Sequence, residues 1–336
     1  MDPQDPFEMG MLIIALITFL LQLLVLYLIV VISPKTMHDY RFYLIVATII
    51  EILYSLNYSL VLLLKPPEIY PGVGIYCRGL ASYLGQTAAN IFASSHYFLC
   101  GLMIGSQHVC MIYRFLAIHP DRNLRQVFMT SEWKRRSYGF VFVCSLLLGI
   151  GLYFGIADPS EYAEIISTWT GVQQTIDYTE IRILLRNNRP YLARFFSVTG
   201  LLIVISEAVH LAVVISILWI LKRKSASYSR RSLKMHRDLT VVLMLQLLIP
   251  ALMLILPCIL FLFKMQTKTS NSRIISEIWT LIIASHMCVI SLITIIAVGP
   301  YRRYLLNLFW RLIRPSRLFH LQQPKIHVSN GVSLTA

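Results

Sequence analysis

Leu239–Phe263 carries no charged residue over 25 positions. At about 1.5 Å per residue, a helix of that length crosses a hydrocarbon layer of about 30 Å. The stretch before it, from Lys222 to Arg237, is densely basic. Within the run lie Gln246, Pro250 and Pro257, which a simple anchor does not need. One segment therefore predicts a membrane span, a direction through the membrane, and a helix built to bend.

Six further apolar runs share this character. They cover about Met9–Ile32, Tyr43–Leu64, Leu84–Tyr113, Tyr138–Ile156, Phe196–Leu221 and Ile278–Val298. With 57% hydrophobic and 14% charged residues in 336, the chain is too apolar for a soluble protein of its size. The expected fold is an all-α membrane protein, a seven-transmembrane helix bundle. No repeat or linker divides it, so residues 1–314 read as one domain and 315–336 as a short, polar, disordered cytoplasmic tail.

The net charge of +14 is membrane topology rather than a nucleic-acid surface, because the basic residues flank apolar runs and form no basic domain. The loops after spans one, three and five, with the segment after span seven, hold 21 Lys and Arg; the opposite side holds nine. Under the positive-inside rule the N-terminus is outside and the C-terminus inside. No cleavable signal peptide is expected, since MDPQDPFE is acidic and the first run is too long. The six cysteines show no CxxC or Cys/His ligand spacing, so neither a metal site nor a cofactor is expected. After span seven, Tyr301–Arg314 sets Arg303, Asn307, Arg311 and Arg314 on one stripe against Leu, Phe, Trp and Ile. This pattern predicts a cytoplasmic amphipathic helix along the inner leaflet.

Polar groups at membrane depth normally face the bundle interior. In span three, Gln86, Asn90, Ser94, Tyr97, Gly101 and His108 fall in one sector at helical spacing. Gln86, Asn90 and Tyr97 either line a ligand cavity or only bond neighbouring helices; Ser94 and His108 fit a buried polar network better. Glu51 in span two needs a partner or water. Glu207 and His210 in span five share a face at i,i+3, and either line the cavity or bond each other. His286 in span seven is a further cavity candidate. Pro250 and Pro257 each remove a backbone hydrogen bond, and Gln246 lies one turn before Pro250. Arg114 follows Tyr113 at the inner end of span three, either as a switch or as an Arg snorkelling to the interface. Asn57-Tyr58-Ser59 matches the glycosylation pattern but lies within a span, which rules it out.

Seven spans, an Arg closing span three, a proline-bent span six and a final amphipathic helix resemble a G-protein-coupled receptor. Finer features are SPKTM before YRFYLI, the lead PEIYPGVGIYCRGL into span three, SLKMHRDLTVVLMLQLLIPALMLILP, and HMCVISLITIIAVGPYRRYLLNLF. These resemble the nematode serpentine chemoreceptors of the Str superfamily, of the Srh or Sri class, over about residues 20–312. The resemblance implies a small-molecule ligand, a heterotrimeric G protein as partner, and the plasma membrane of sensory neuron cilia. Departures from rhodopsin-like receptors are evident. Tyr113-Arg114-Phe115 lacks the acid before the Arg, and Gly299-Pro300-Tyr301 replaces Asn-Pro-x-x-Tyr. The 157–195 loop has no cysteine to bridge Cys77, and span seven has no lysine for a retinal Schiff base.

The expected function is a chemosensory receptor binding a small external ligand among spans three, five, six and seven. Span six then swings about Pro250 and Pro257 to admit the G protein. A transporter or ligand-gated channel using Glu51 and Glu207/His210 is the alternative, but the matching halves common in transporters are missing. An enzyme is disfavoured: GxSxG, HExxH and paired aspartates at depth do not occur.

Overall fold

The computed structural model describes residues 5–33, 38–65, 75–128, 130–170, 182–185, 190–223, 230–250, 252–253 and 272–313. Charged and capping residues extend the helices beyond the apolar runs. Helix α1 (Pro6–Tyr27) starts where Asp5 accepts the Phe7 N–H (2.9 Å), and continues through a π-helical turn, Leu28–Ile32. Helix α2 (His38–Leu56) ends in a second π-helical turn, Asn57–Leu62, and stops at Leu63, which is left-handed (φ 42°). Helix α3 spans Gln86–Ile118, 33 residues and about 50 Å. Then come the short α4 (Arg122–Phe128), α5 (Ser131–Gly155), the short α6 (Tyr162–Thr170) and α7 (Pro190–Arg223). Helix α8 (Arg230–Pro250), α9 (Ser272–Ala297) and α10 (Gly299–Ile313) complete the order.

Among the described residues, six helices are long and apolar enough to cross a membrane. The seventh member of the bundle is α8; its continuation over 254–271, with Pro257, lies outside the described residues, as do Arg314 and the expected tail. The exposed surface is apolar where a soluble protein's would be polar: Leu16, Leu201, Val204 and Ile296 are each more than half exposed. Such side chains need hydrocarbon, not water, around them.

Helix α3 is the axis, packing on α2, α5 and α7, while α1 leans on α2 and α9, and α8 on α7 and α9. Its contact with α5 is close because of glycine. A Cβ at Gly105 would come 2.4 Å from Val141 Cγ1, and one at Gly101 would come 2.9 Å from Ser145 Oγ. Small residues let membrane helices approach until dispersion holds them. By contrast α5 and α7 barely touch.

The all-α expectation misses one feature. Three short antiparallel strands, β1 (Leu64–Lys65), β2 (Ile75–Cys77) and β3 (Arg182–Ile183), pair in that order at the N-terminal end of α3. They tie the 157–195 loop to the segment before α3, where rhodopsin-like receptors use a disulfide. Cys77 is free and buried, its thiol donating to the Leu62 carbonyl (3.2 Å). Burial pushes that thiol up to about 11, so it stays protonated at neutral pH. Beside the sheet, the buried Lys65 ammonium pairs with Asp5. Burial works against ionised Asp5, but the hydrogen bonds from Lys65 and from the backbone at Phe7 outweigh it and hold the carboxyl below its usual range.

Two expectations follow. Gly105→Ala should lower the thermal stability of the purified protein by about 1–3 kcal/mol, because β-branched Val141 cannot yield. The Asp5–Lys65 contribution is whole above the ordinary carboxylate value of about 4, and is lost as pH falls through the lowered folded-state value. A thermal-unfolding series in acid should show this decline, and Asp5→Asn should flatten it.

Candidate functional site

Three groups of polar side chains sit inside the bundle. The first joins α2, α3 and α9 in the half nearer the sheet. His96 stacks on Tyr54 (4.5 Å between centroids) and tilts against Tyr58 (5.1 Å), while His286 meets the Tyr54 edge (5.7 Å). His286 Nδ1–H donates to the Ile283 carbonyl. His286 Nε2 and His96 Nδ1 are buried with no hydrogen-bond partner among the described residues. Next to this group, Asn57 donates to the Phe92 carbonyl (3.2 Å) and Ser95 Oγ (3.1 Å), so it is structural and not a glycosylation site. Ser55 donates to Gln22 (2.8 Å), tying α2 to α1.

The second group lies deeper. Glu51 is buried and accepts from Gln107 Nε2 (3.4 Å). They border a cavity of about 30 Å³ that Thr48, Gln246, Ser291 and Thr294 also line. That volume suits one water, and the walls offer it enough polar partners. Gln246 thus brings α8 into contact with the polar centre, one turn before half-buried Pro250 and a π-helical turn at 252–253. At the lower wall, Tyr301 of the Gly299-Pro300-Tyr301 motif bonds Ser33 Oγ (2.7 Å), fixing α10 to the end of α1.

The third group bridges α3 and α7. His108 Nδ1–H donates to the Ile104 carbonyl (2.7 Å), which leaves Nε2 to accept from Ser206 Oγ (2.8 Å). The His210 ring stands edge-on to His108 (4.9 Å). Glu207 and His210 do not bond each other, contrary to one expected outcome: both His210 nitrogens and Glu207 Oε2 are buried without partners among the described residues. The reason is direction, since His210 turns inward onto His108 while Glu207 stays half-buried. Gln86 and Asn90 bond each other along α3 (2.8 Å), and Tyr97 faces the gap between α5 and α7. The residues expected to share one ligand cavity therefore divide among separate places.

At the other end of α3, Arg114 is buried, not snorkelling. Its guanidinium lies over the Tyr40 ring (5.2 Å); Tyr40 stacks on Tyr113 (6.0 Å) and Tyr43 tilts against it (4.4 Å). YRFYLI thereby places Tyr40 and Tyr43 of α2 beside an arginine that follows a tyrosine in sequence and not an acid. A desolvated cation–π contact contributes about 2 kcal/mol, enough to hold a side chain in place. No cluster of three or more His, Cys, Asp or Glu occurs among the described residues.

The model of the serpentine type seven-transmembrane chemoreceptor family Srh matches residues 2–311. The chain belongs to the Srh family of G-protein-coupled chemoreceptors. Of the two classes the motifs resemble, Srh is the one matched. Squid rhodopsin has a similar fold, with a TM-score of 0.59 at 12% identity over 91% of this chain and 85% of that one. No curated protein matches the chain by sequence. The Srh chain is thus a multi-pass membrane protein of a generally non-enzymatic receptor family. Sequence reasoning missed His96, Tyr54 and Gln107, and only the alternation of polar with aromatic residues in α2 and α3 hinted at them.

Glu51→Ala should destabilise the protein by about 1–3 kcal/mol in thermal unfolding, by orphaning Gln107 and enlarging the cavity. Glu51→Gln should cost less, because an amide oxygen still accepts from Gln107.

Proposed function

We propose that this receptor detects a small, largely apolar molecule carrying a hydroxyl or N–H donor, held in the outer half of the bundle. The supporting observation is the pair of buried, unpartnered nitrogens, His96 Nδ1 and His286 Nε2, set around Tyr54. Buried polar atoms are normally satisfied, and a ligand that donates to the His286 lone pair supplies what the described residues lack. Gln86 and Asn90 lie along α3 on the outer side of this seat, while Tyr97, Glu207 and His210 lie apart from it, toward α5 and α7. The N-terminus faces outside at the plasma membrane, in keeping with the 21-to-nine charge distribution. Sensory cilia remain the family's implication. Residues 1–314 act as one receptor domain, with 315–336 as its cytoplasmic tail.

Bound ligand favours a state in which α8 swings about Pro250 and Pro257 and a heterotrimeric G protein engages the basic inner loops. The ligand's differential affinity for the two states supplies the energy. Arg114, Tyr113 and the rings of Tyr40 and Tyr43 restrain the inner end until then, and Gln246 carries the α8 displacement to the Glu51 network.

A ligand panel on cells expressing the chain, with second-messenger and current readouts recorded together, tests both steps. His286→Phe should right-shift an active ligand's response by about 10- to 100-fold while surface expression persists. Tyr40→Leu should raise basal signalling, and Arg114→Ala should bind ligand but lose coupling. Normal signalling by Arg114→Ala removes the arginine from the switch. Ligand-evoked current in membranes free of G protein would replace the receptor with a channel or transporter.

A further inference from the structure

Between α5 and α7 the ring of helices stays open. A cleft of about 1380 Å³ lies there, floored by α3. It exceeds the roughly 300–1,000 Å³ of pockets that take drug-sized ligands. Its walls are apolar and face outward: Phe140, Leu147, Val198 and Leu202 are each more than half exposed. Along α5 it runs from Trp133 to Gly151, about 27 Å of helix, close to the hydrocarbon thickness of a bilayer. A cleft of this size, length and lining, open sideways, fits acyl chains rather than a small odorant.

Its two ends differ. At one, Trp133, Arg136 and Ser137 line the wall in the first two turns of α5. Ser137 Oγ is buried with no hydrogen-bond partner among the described residues. Arg136 bonds Glu132 at a well-exposed site, a pair of small worth that leaves most guanidinium N–H groups free. The N-terminus of a 25-residue helix adds its positive dipole end. Lys134 points away, over the rings of Phe42 and Tyr43. At the other end stand Arg194 and Tyr191, whose hydroxyl already donates to the Gly151 carbonyl (3.0 Å). The unpartnered buried oxygen thus lies at the Arg136 end.

We propose that this cleft binds a two-chain anionic phospholipid of the bilayer. Its phosphate accepts from Arg136 and Ser137 beside the α5 N-terminus, and its chains fill the space between α5 and α7 over Gly101 and Gly105. The charge-based orientation puts this end in the cytoplasmic leaflet, where anionic lipids reside. The contacts themselves do not need that orientation, nor ligand, nor G protein, so the test is independent of the receptor mechanism.

Native mass spectrometry of the detergent-purified full chain, titrated with phosphatidylserine or phosphatidylcholine, reads the site directly. One phosphatidylserine should bind in preference to phosphatidylcholine. Arg136→Gln should weaken it by about fivefold, the worth of one basic residue near an anionic surface. Leu147→Trp, which fills the cleft from an exposed wall, should displace the lipid. Arg135→Gln, outside the cleft, should leave binding unchanged. Equal binding of phosphatidylcholine, equal loss in Arg135→Gln, or full binding by Leu147→Trp would each overturn the proposal.

Discussion

Everything in this bundle depends on how α3 satisfies its polar side chains without water. Hydrocarbon offers no hydrogen bonds, so each polar group on a central helix must find a partner on a neighbouring one. Gln107 finds Glu51 on α2, His108 finds Ser206 on α7, and Ser95 takes Asn57 from α2. On the remaining side, Gly101 and Gly105 bring α5 close enough to pack by dispersion. These contacts fix α3 in depth and rotation, and the other helices arrange themselves around it.

Where satisfaction is incomplete, it is incomplete in particular places. His96, His210 and His286 keep nitrogens with no partner among the described residues, whereas the Gln107 and His108 groups close their bonds within the protein. An apolar side chain would avoid the cost of an orphaned buried nitrogen. Retaining imidazoles at the junction of α2, α3 and α9 fits a site that an incoming donor completes, which is why the proposed ligand seat lies there and not at the Gln86–Asn90 pair.

The spans were legible in the sequence because hydropathy belongs to each residue separately. Partnership was not. Glu51 stood out as needing a partner, but Gln107 lies 56 positions away and nothing local connects them. His96 escaped notice because it points off the Gln86–Asn90–Tyr97 sector, toward α2 and α9. Arg114, at the end of a span, read equally well as a snorkelling residue; its burial depends on Tyr40 and Tyr43 arriving from another helix. The strands of two and three residues are too short for any alternation to show.

The absence of an acid before Arg114 changes what a restraint at this position can be. An ion pair acts over distance and weakens gradually as the partners separate, whereas a cation–π contact falls off steeply once the ring slides away. Tyr40, Tyr43 and Tyr113 all lie where α2 meets α3, so a small shift of one helix against the other removes the stack and the cation's seat together. The same two helices share Glu51 and Gln107 about two turns deeper, beside Gln246 of α8. In the proposed switch, a displacement of α8 at Pro250 disturbs the polar centre first and reaches the aromatic cage through the α2–α3 contact. In that switch the rings beside the arginine belong to α2 and α3, so freeing it requires the inner half of α2 to shift against α3.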